Sequence, residues 1–121
     1  MMGLDASSST EPDIKAEGPT SEGWYIVAIA VQLDFRGLTL DDYDRVVELM
    51  GFEPGGRTPS GALFHWVTKT DDGTRVTDVW QDRETFERFA EEHIGPKMAE
   101  AGLNSQPDIT FYEVHNYMTA G

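Results

Sequence analysis

The sequence predicts an α+β fold in which six elements follow the order β-α-β-β-α-β. Three observations carry this prediction: an apolar run suited to a central strand, two β-rich runs around a short turn, and two stretches with apolar residues at helical spacing. This order is typical of the ferredoxin-like split βαβ arrangement, with one four-stranded antiparallel sheet under two helices. The predicted strands cover residues 24–35, 62–70, 74–80 and 108–118, and the predicted helices cover residues 39–50 and 82–101.

The run WYIVAIAVQLDF, Trp24–Phe35, predicts the first strand, because it is apolar on both faces as a central strand should be. Its bulky side chains should pack beneath the helices, whereas its smaller or polar side chains should meet a second sheet. The second contact predicts a homodimer in which two subunits stack sheet to sheet. The bulky set is Val27, Ile29, Val31 and Leu33, and the smaller set is Ala28, Ala30 and Gln32.

Two helices are predicted from apolar stripes at helical spacing. Thr39 is expected to cap the first helix, which ends at Gly51. Asp82 is expected to cap the second helix, and Pro96 should bend or interrupt it. The predicted buried stripes are Leu40, Tyr43, Val46, Val47 and Met50 in the first helix and Phe86, Phe89, Ala90, His93, Ile94 and Met98 in the second.

The segment ALFHWVTKTDDGTRVTDVWQ is typical of a β-hairpin, and two turns suit it. A two-residue turn at 72–73 and a three-residue loop at 71–73 differ by one position, which moves every side chain across the sheet. The first register is preferred because it brings an ionisable histidine beside Asp78 and Trp80. It places His65 opposite Trp80 and Val67 opposite Asp78, whereas the alternative places Phe64 opposite Trp80 and Trp66 opposite Asp78.

Composition excludes several classes of function. The 121 residues suggest one domain, and the absence of cysteine excludes disulfides, thiolate metal sites and a cysteine nucleophile. A net charge of -13 repels phosphate backbones and anionic membranes, so neither nucleic acid nor a membrane is an expected partner. No apolar run approaches the roughly 20 residues that a bilayer-spanning helix needs.

Residues 1–23 are expected to form a disordered tail before a single domain of residues 24–121. The tail contains only Leu4 and Ile14 as large aliphatic residues and is rich in Ser, Glu, Pro, Thr and Gly. Burial of so few apolar groups cannot offset the entropy of ordering the segment. The segment also lacks the basic start and apolar stretch of a signal peptide, so a cytoplasmic location is expected.

The order of elements and the run DVWQDRETFERF resemble the dimeric α/β-barrel superfamily, and within it the antibiotic-biosynthesis-monooxygenase-like (ABM-like) domains. The resemblance spans Trp24 to Met118. It implies that two subunits form a dimeric α/β barrel, and that each subunit holds a pocket between sheet and helices with Trp80 on its wall. The residues that carry the resemblance are Asp78, Trp80, Asp82, Glu84, Phe86 and Phe89.

The superfamily also includes haem-degrading enzymes, but the sequence departs from their pattern. Those enzymes place a histidine on the second helix ten residues past the tryptophan, where this chain has Ala90. They also place an asparagine on the first strand, where this chain offers Val31 or Gln32. Haem degradation is therefore not expected, and no cofactor is expected.

The candidate site combines ionisable and aromatic residues around the strand end at Trp80. A carboxylate buried there needs a hydrogen-bond donor, so Asp78 is interpreted either as a pocket base or as a structural acceptor. No pair of histidines has helical metal-ligand spacing, so no metal is expected. The catalytic candidates are Asp78, His65, His93 and His115, and the ligand-binding candidates are Trp80, Phe86, Phe89, Val31 and Asn116.

Three functions remain open. The resemblance implies a cofactor-independent monooxygenase, or a related cyclase or isomerase, on an aromatic or polyketide-like substrate. The same pocket could instead bind a hydrophobic or aromatic small molecule without chemistry, in a ligand-binding or stress-related dimer. In the third hypothesis the protein's own aromatic side chains fill the pocket. A cavity of about 300 Å³ or more beside Trp80 would favour the first two.

Overall fold

The computed structural model describes residues 27–119, which form one four-stranded antiparallel sheet with its helices on one face. The strand order β2-β3-β1-β4 is that of the ferredoxin-like fold, so the predicted fold class is confirmed. The predicted tail and the predicted start of the first strand lie outside the described residues. The strands are β1 (Ile29–Arg36), β2 (Ala62–Thr70), β3 (Gly73–Trp80) and β4 (Asp108–Glu113), and the helices are α1 (Leu40–Met50), α2 (Arg83–Phe89), a π-helical turn (Ala90–Ile94) and α3 (Gly95–Glu100).

The central strand β1 provides the main wall of the core. Val31 and Leu33 are almost fully buried on its helix-facing side, together with Phe35. They pack with Val76 and Trp80 of the neighbouring strand β3 in one apolar cluster. The prediction that the bulky face of β1 lies beneath the helices is therefore confirmed for these residues.

Helix α1 begins and ends as predicted. The Thr39 hydroxyl accepts a hydrogen bond from the backbone N–H of Asp42, and the Asp42 carboxylate accepts one from the backbone N–H of Thr39. This reciprocal pair satisfies two N–H groups that a helix start leaves free. The helix ends at Gly51, whose φ of 85° lies in the left-handed region that glycine adopts without strain.

The second helical run is divided into three parts rather than being one regular helix. Asp82 caps it as predicted, with its carboxylate accepting from the backbone N–H of Thr85 at 2.8 Å. The interruption follows from Pro96, which has no N–H to donate to the preceding turn. The wider π-helical turn before it is closed by a hydrogen bond from the Gly95 N–H to the Ala90 carbonyl.

Both predicted hairpin registers are wrong. The turn residues are Asp71 and Asp72, and Gly73 is the first residue of β3, paired with Thr70. The close approach of β1, rather than the turn, requires a glycine here, since a Cβ at Gly73 would lie 1.9 Å from the carbonyl oxygen of Phe35 on β1. The observed register places His65 directly opposite Asp78, with an irregularity between Ala62 and Phe64.

The last strand is shorter than predicted. It ends at Glu113, which pairs with Ile29 at the start of β1. Since β4 pairs only with β1 within residues 27–119, its ladder stops where β1 begins. His115 and Asn116 therefore lie in the segment after the strand, and their predicted placement on opposite faces of a strand is wrong.

The face of the sheet away from the helices carries an apolar row, which we call the open face. The strand pairings align Phe64, Val79, Ala30 and Tyr112 across all four strands. Phe64 and Tyr112 are 49% and 53% exposed.

No helix within residues 27–119 has the length and apolar character required to cross a bilayer.

Candidate functional site

A cleft of about 1070 Å³ lies between α1, the loop that follows it and the helix-facing side of the sheet. Its wall is largely apolar, with Leu33, Val67 and Val76 contributed by three strands and Val46 by α1. This volume exceeds the roughly 300 Å³ at which a small-molecule site begins. The helix-facing side of the sheet therefore has a cleft of ligand size, whereas Trp80, which is among its lining residues, is only 1% exposed.

Asp78 and Trp80 lie on the same buried face of β3, as their two-residue spacing predicted. They are 6% and 1% exposed. The Trp80 Nε1–H donates a hydrogen bond to Asp78 Oδ2 at 3.1 Å. Because an indole nitrogen can only donate, this bond fixes Oδ2 as an acceptor and orients the carboxylate toward β2.

His65 meets the other oxygen of the same carboxylate. The observed register places the two residues directly across from each other, and the distance from His65 Nδ1 to Asp78 Oδ1 is 2.5 Å. The imidazole side chain is 34% exposed whereas the Asp78 side chain is 8% exposed. The histidine thus presents one ring nitrogen to the buried carboxylate and the other to the cleft.

Tyr43 of α1 completes the cluster from the opposite wall. Its hydroxyl lies 2.5 Å from His65 Nε2, and the two rings are nearly parallel, with 12° between their planes. Burial raises the pKa of Tyr43 to about 12, and the negative charges of Asp78 and Asp44 add to the effect. The phenol is therefore neutral at physiological pH, and its hydroxyl can donate to an unprotonated Nε2 of His65 or accept from a protonated one.

For a neutral imidazole, these contacts are satisfied by one arrangement of protons. The Asp78 carboxylate accepts from Trp80 Nε1 and from His65 Nδ1, which leaves His65 Nε2 with its lone pair. Tyr43 donates to that lone pair. A neutral histidine held in this tautomer by a buried carboxylate can take up a proton at Nε2, since the carboxylate stabilises the imidazolium that forms.

Of three aromatic and apolar candidates, one lines the cleft and two are buried in the core. Phe89 lines it and packs against Trp80 with ring centroids 5.2 Å apart. Phe86 is buried behind Trp80, at a centroid distance of 5.7 Å, and supports the indole from the core side. Val31 is fully buried in the core and does not line the cleft.

The structure does not bring the other polar candidates to the cleft. His93 is exposed, and its ring packs beside Phe89 with centroids 5.1 Å apart. The π-helical turn changes the helical spacing, so that Ile94 rather than His93 lines the cleft. His115 and Asn116 are exposed beyond the end of β4 and do not line it.

Sequence reasoning did not identify Tyr43 as a site residue. It interpreted this residue only as part of the buried stripe of α1. The available signal was a hydroxyl-bearing aromatic within an otherwise aliphatic stripe. The role of Tyr43 as a hydrogen-bond partner of His65 depends on the packing of α1 over β2, which brings the two side chains together.

The cluster contains the only arrangement that combines a histidine with a buried carboxylate in the part of the chain that the structure describes. Within residues 27–119, no three His, Asp or Glu side chains are placed so that they could share a metal ion. A histidine hydrogen-bonded to a buried carboxylate can supply proton transfer and hydrogen bonding beside an apolar wall.

The geometry defines a ferredoxin-like α+β protein with a ligand-sized cleft between sheet and helices. No protein-family model and no curated protein matches the sequence. Solved structures similar to the chain include a conserved protein from Methanosarcina mazei Go1, at 12% identity and a TM-score of 0.48, covering 73% of this chain and 93% of that one.

Two further similar structures come from Streptomyces. SnoaB, a cofactor-independent oxygenase from Streptomyces nogalater, has 15% identity and a TM-score of 0.46, covering 78% of this chain and 97% of that one. A monooxygenase from the gene ActVA-Orf6 of Streptomyces coelicolor, in complex with nanaomycin D, has 19% identity and a TM-score of 0.44. The latter match covers 79% of this chain and 94% of that one. The fold class itself rests on the strand order and pairing of this chain.

Proposed function

We propose that the cleft binds an aromatic or polyketide-like small molecule and that the protein processes it as a cofactor-independent monooxygenase. The observation that supports this proposal is the hydrogen-bonded series Trp80–Asp78–His65, which ends on the wall of an apolar cleft. An apolar cavity with a few convergent polar groups is the usual form of a small-molecule site.

His65 is the proposed base. Its Nε2 takes the proton of a phenolic or enolic hydroxyl, while Asp78 holds the Nδ1–H and stabilises the resulting imidazolium. Trp80 holds Asp78 in place, and Phe89 packs on the indole and lines the cleft. Proton transfer by a positioned group of this kind contributes about 100- to 10,000-fold to a rate.

Deprotonation makes oxygen chemistry accessible without a bound redox group. A phenolate or enolate is electron-rich and can itself reduce O2, so the substrate is the reductant. Oxidation of a ring methylene to a carbonyl then uses one O2. One oxygen atom forms the carbonyl, and the other leaves as water with the two methylene hydrogens.

One observation favours a second candidate function, in which the cleft binds a hydrophobic or aromatic ligand without turnover. The base atom of His65 is already engaged by the Tyr43 hydroxyl. A site that only recognises a ligand hydroxyl would use the same atoms as hydrogen-bond partners. In this alternative the protein is a ligand-binding or stress-related protein, and the experiment must distinguish binding without turnover from catalysis.

We also propose that the protein is a homodimer formed through the open face. The row of Phe64, Val79, Ala30 and Tyr112 exposes two large aromatic side chains, and a second copy of the sheet would cover it. The cleft lies on the opposite side of the sheet, so each subunit would keep its own site.

The test is the substitution Asp78→Asn. Oxygen consumption would be followed with a panel of hydroxylated polycyclic aromatic compounds, without added metal, flavin or nicotinamide. We expect turnover to fall by about 100-fold or more, since an amide no longer holds His65 in the basic tautomer. Stability should fall by about 1–3 kcal/mol, because Asn cannot accept from both Trp80 and His65.

The matched control is Asp71→Asn in the exposed hairpin turn, which should leave turnover and stability unchanged. Full oxygen consumption by the folded Asp78→Asn variant would contradict the enzyme proposal. Saturable binding of a compound by the wild type, without oxygen consumption, would assign the cleft to the ligand-binding alternative.

A further inference from the structure

The hydroxyl of Tyr43 occupies the one atom through which His65 can act on a ligand. His65 Nδ1 is committed to Asp78, and Nε2 lies 2.5 Å from the Tyr43 hydroxyl. A neutral imidazole has a single acceptor nitrogen. The Tyr43 hydroxyl and a ligand hydroxyl therefore cannot both donate to His65 at the same time.

We propose that Tyr43 controls access to His65: its hydroxyl competes with the ligand for His65 Nε2, so that phenols and enols more acidic than tyrosine displace it and weaker acids do not. This inference rests on the proposed function, because it assigns His65 as the atom that the ligand engages. It adds the chemical class of ligand that gains access.

Acidity is the property on which the exchange depends. The raised pKa of Tyr43, which results from burial and from the charges of Asp78 and Asp44, keeps its own proton in place. A more acidic ligand hydroxyl makes a stronger hydrogen bond to the imidazole and can transfer its proton to it. An aliphatic alcohol is a weaker acid than a phenol, so it has no such advantage over Tyr43.

The position of Tyr43 allows the exchange. The residue is half-buried on the cleft-facing side of α1, at the edge of the core. The buried anchor of the helix is Val46, almost one turn further along. Rotation of the Tyr43 side chain about its Cα–Cβ bond would therefore move the hydroxyl away from His65 while Val46 still holds α1 on the core.

Competition of this kind lowers the apparent affinity for every ligand that needs His65. The apparent affinity is reduced by the fraction of molecules in which the binding-competent state is populated. Tyr43→Phe removes the competing hydroxyl and keeps the ring. Since a net hydrogen bond is worth about 0.5–1.5 kcal/mol, the variant should bind such ligands about three- to tenfold more tightly.

The experiment uses 4-nitrophenol, whose ionised form absorbs visible light, and its methyl ether 4-nitroanisole, which has no hydroxyl. Both are titrated against the wild type, Tyr43→Phe, His65→Gln and the control Tyr117→Phe, which changes an exposed tyrosine beyond β4. Affinity comes from the titration curve, and proton transfer comes from the visible band of the bound phenolate.

We expect Tyr43→Phe to bind 4-nitrophenol about three- to tenfold more tightly and 4-nitroanisole equally well, relative to the wild type. Tyr117→Phe should match the wild type, and His65→Gln should lose the phenolate band. An unchanged or weaker affinity of Tyr43→Phe for 4-nitrophenol would overturn the inference, as would an equal gain for 4-nitroanisole. If neither wild type nor Tyr43→Phe ionises the phenol, the proposed role of His65 fails as well.

Discussion

His65 and Asp78 form a pair because they stand opposite each other in neighbouring strands, and each has one further partner. Trp80 holds the second carboxylate oxygen, and Tyr43 holds the second imidazole nitrogen. Every polar atom at the centre of this cluster is thereby satisfied, as a buried polar group requires. The cluster is stable as it stands, and a ligand must replace one of its bonds rather than add a new one.

At the residue scale, Tyr43 predicts a specific response to alkaline conditions. Its pKa rises from 10.0 to about 12 in the folded protein. A group whose pKa is raised by folding stabilises the fold below its unfolded value, and this contribution is lost as the pH rises toward the folded value. We expect the free energy of unfolding to fall between about pH 10 and about pH 12 more steeply in the wild type than in Tyr43→Phe.

Urea unfolding at a series of alkaline pH values measures this difference. Tyr117→Phe serves as the control, because Tyr117 is exposed, and it should keep the steeper slope of the wild type. Identical slopes for Tyr43→Phe and the wild type would show that the Tyr43 hydroxyl is not buried beside the charges of Asp78 and Asp44.

The sequence indicated part of this cluster. The shared face of Asp78 and Trp80 follows from strand periodicity, which is a local property. The partners of Asp78 depend on packing between elements, which a single sequence does not specify. Identifying His65 as a partner of Asp78 requires the hairpin register, and identifying Tyr43 requires the position of α1 over β2. The exposed position of His93 depends on the π-helical turn.

At the scale of elements, the misjudged hairpin shows how tertiary contact overrides turn chemistry. The pair Asp72-Gly73 resembles a common hairpin turn, yet the glycine lies inside the sheet. A neighbouring strand approaches so closely that only a residue without a Cβ fits there. The strands and helices themselves were predictable, since their apolar spacing and the caps Thr39 and Asp82 are local signals.

Gly73→Ala tests this explanation of the register. Its Cβ would lie 1.9 Å from the Phe35 carbonyl oxygen and 3.0 Å from the Gly37 nitrogen, so backbone would have to move. We expect a loss of more than about 4 kcal/mol in the free energy of unfolding, measured by urea denaturation. Gly102→Ala is the control, because no atom lies within 4 Å of its Cβ position, so that only its φ of 76° opposes the substitution.

In that control, the alanine should cost only about 1–2 kcal/mol, as expected for a side chain placed in the left-handed region. A Gly73→Ala variant as stable as the wild type would contradict the close approach of β1 and β3. It would also reopen the register in which Gly73 belongs to the turn, and with it the pairing of His65 with Asp78.

At the scale of the whole molecule, the two faces of the sheet have different roles. The helix-facing side carries the core and the cleft, whereas the open face carries an exposed apolar row across all four strands. The small side chains of β1 on that face indicated a covered surface from the sequence alone. The size of the cleft could not be predicted, because it depends on how far α1 and its loop lie from the sheet.

The proposed homodimer predicts a solution mass of about twice the chain mass of 13.5 kDa at micromolar concentration. Phe64→Glu places a charge in the apolar row and should give the mass of a single chain, because an unpaired charge is costly in such a contact. Leu40→Glu, at an exposed position on α1, should leave the dimer intact. A single-chain mass for the wild type in light scattering would contradict the proposal.

The most direct test of the central claim is the protonation state of His65, read from the ring-nitrogen shifts of isotope-labelled protein by NMR. His65→Gln identifies its signals among the three histidines. We expect a neutral ring with the proton on Nδ1 in the free protein, and an imidazolium when an acidic phenol such as 4-nitrophenol is bound. A proton on Nε2 in the free protein, or no change of the ring on saturation with the phenol, would contradict it.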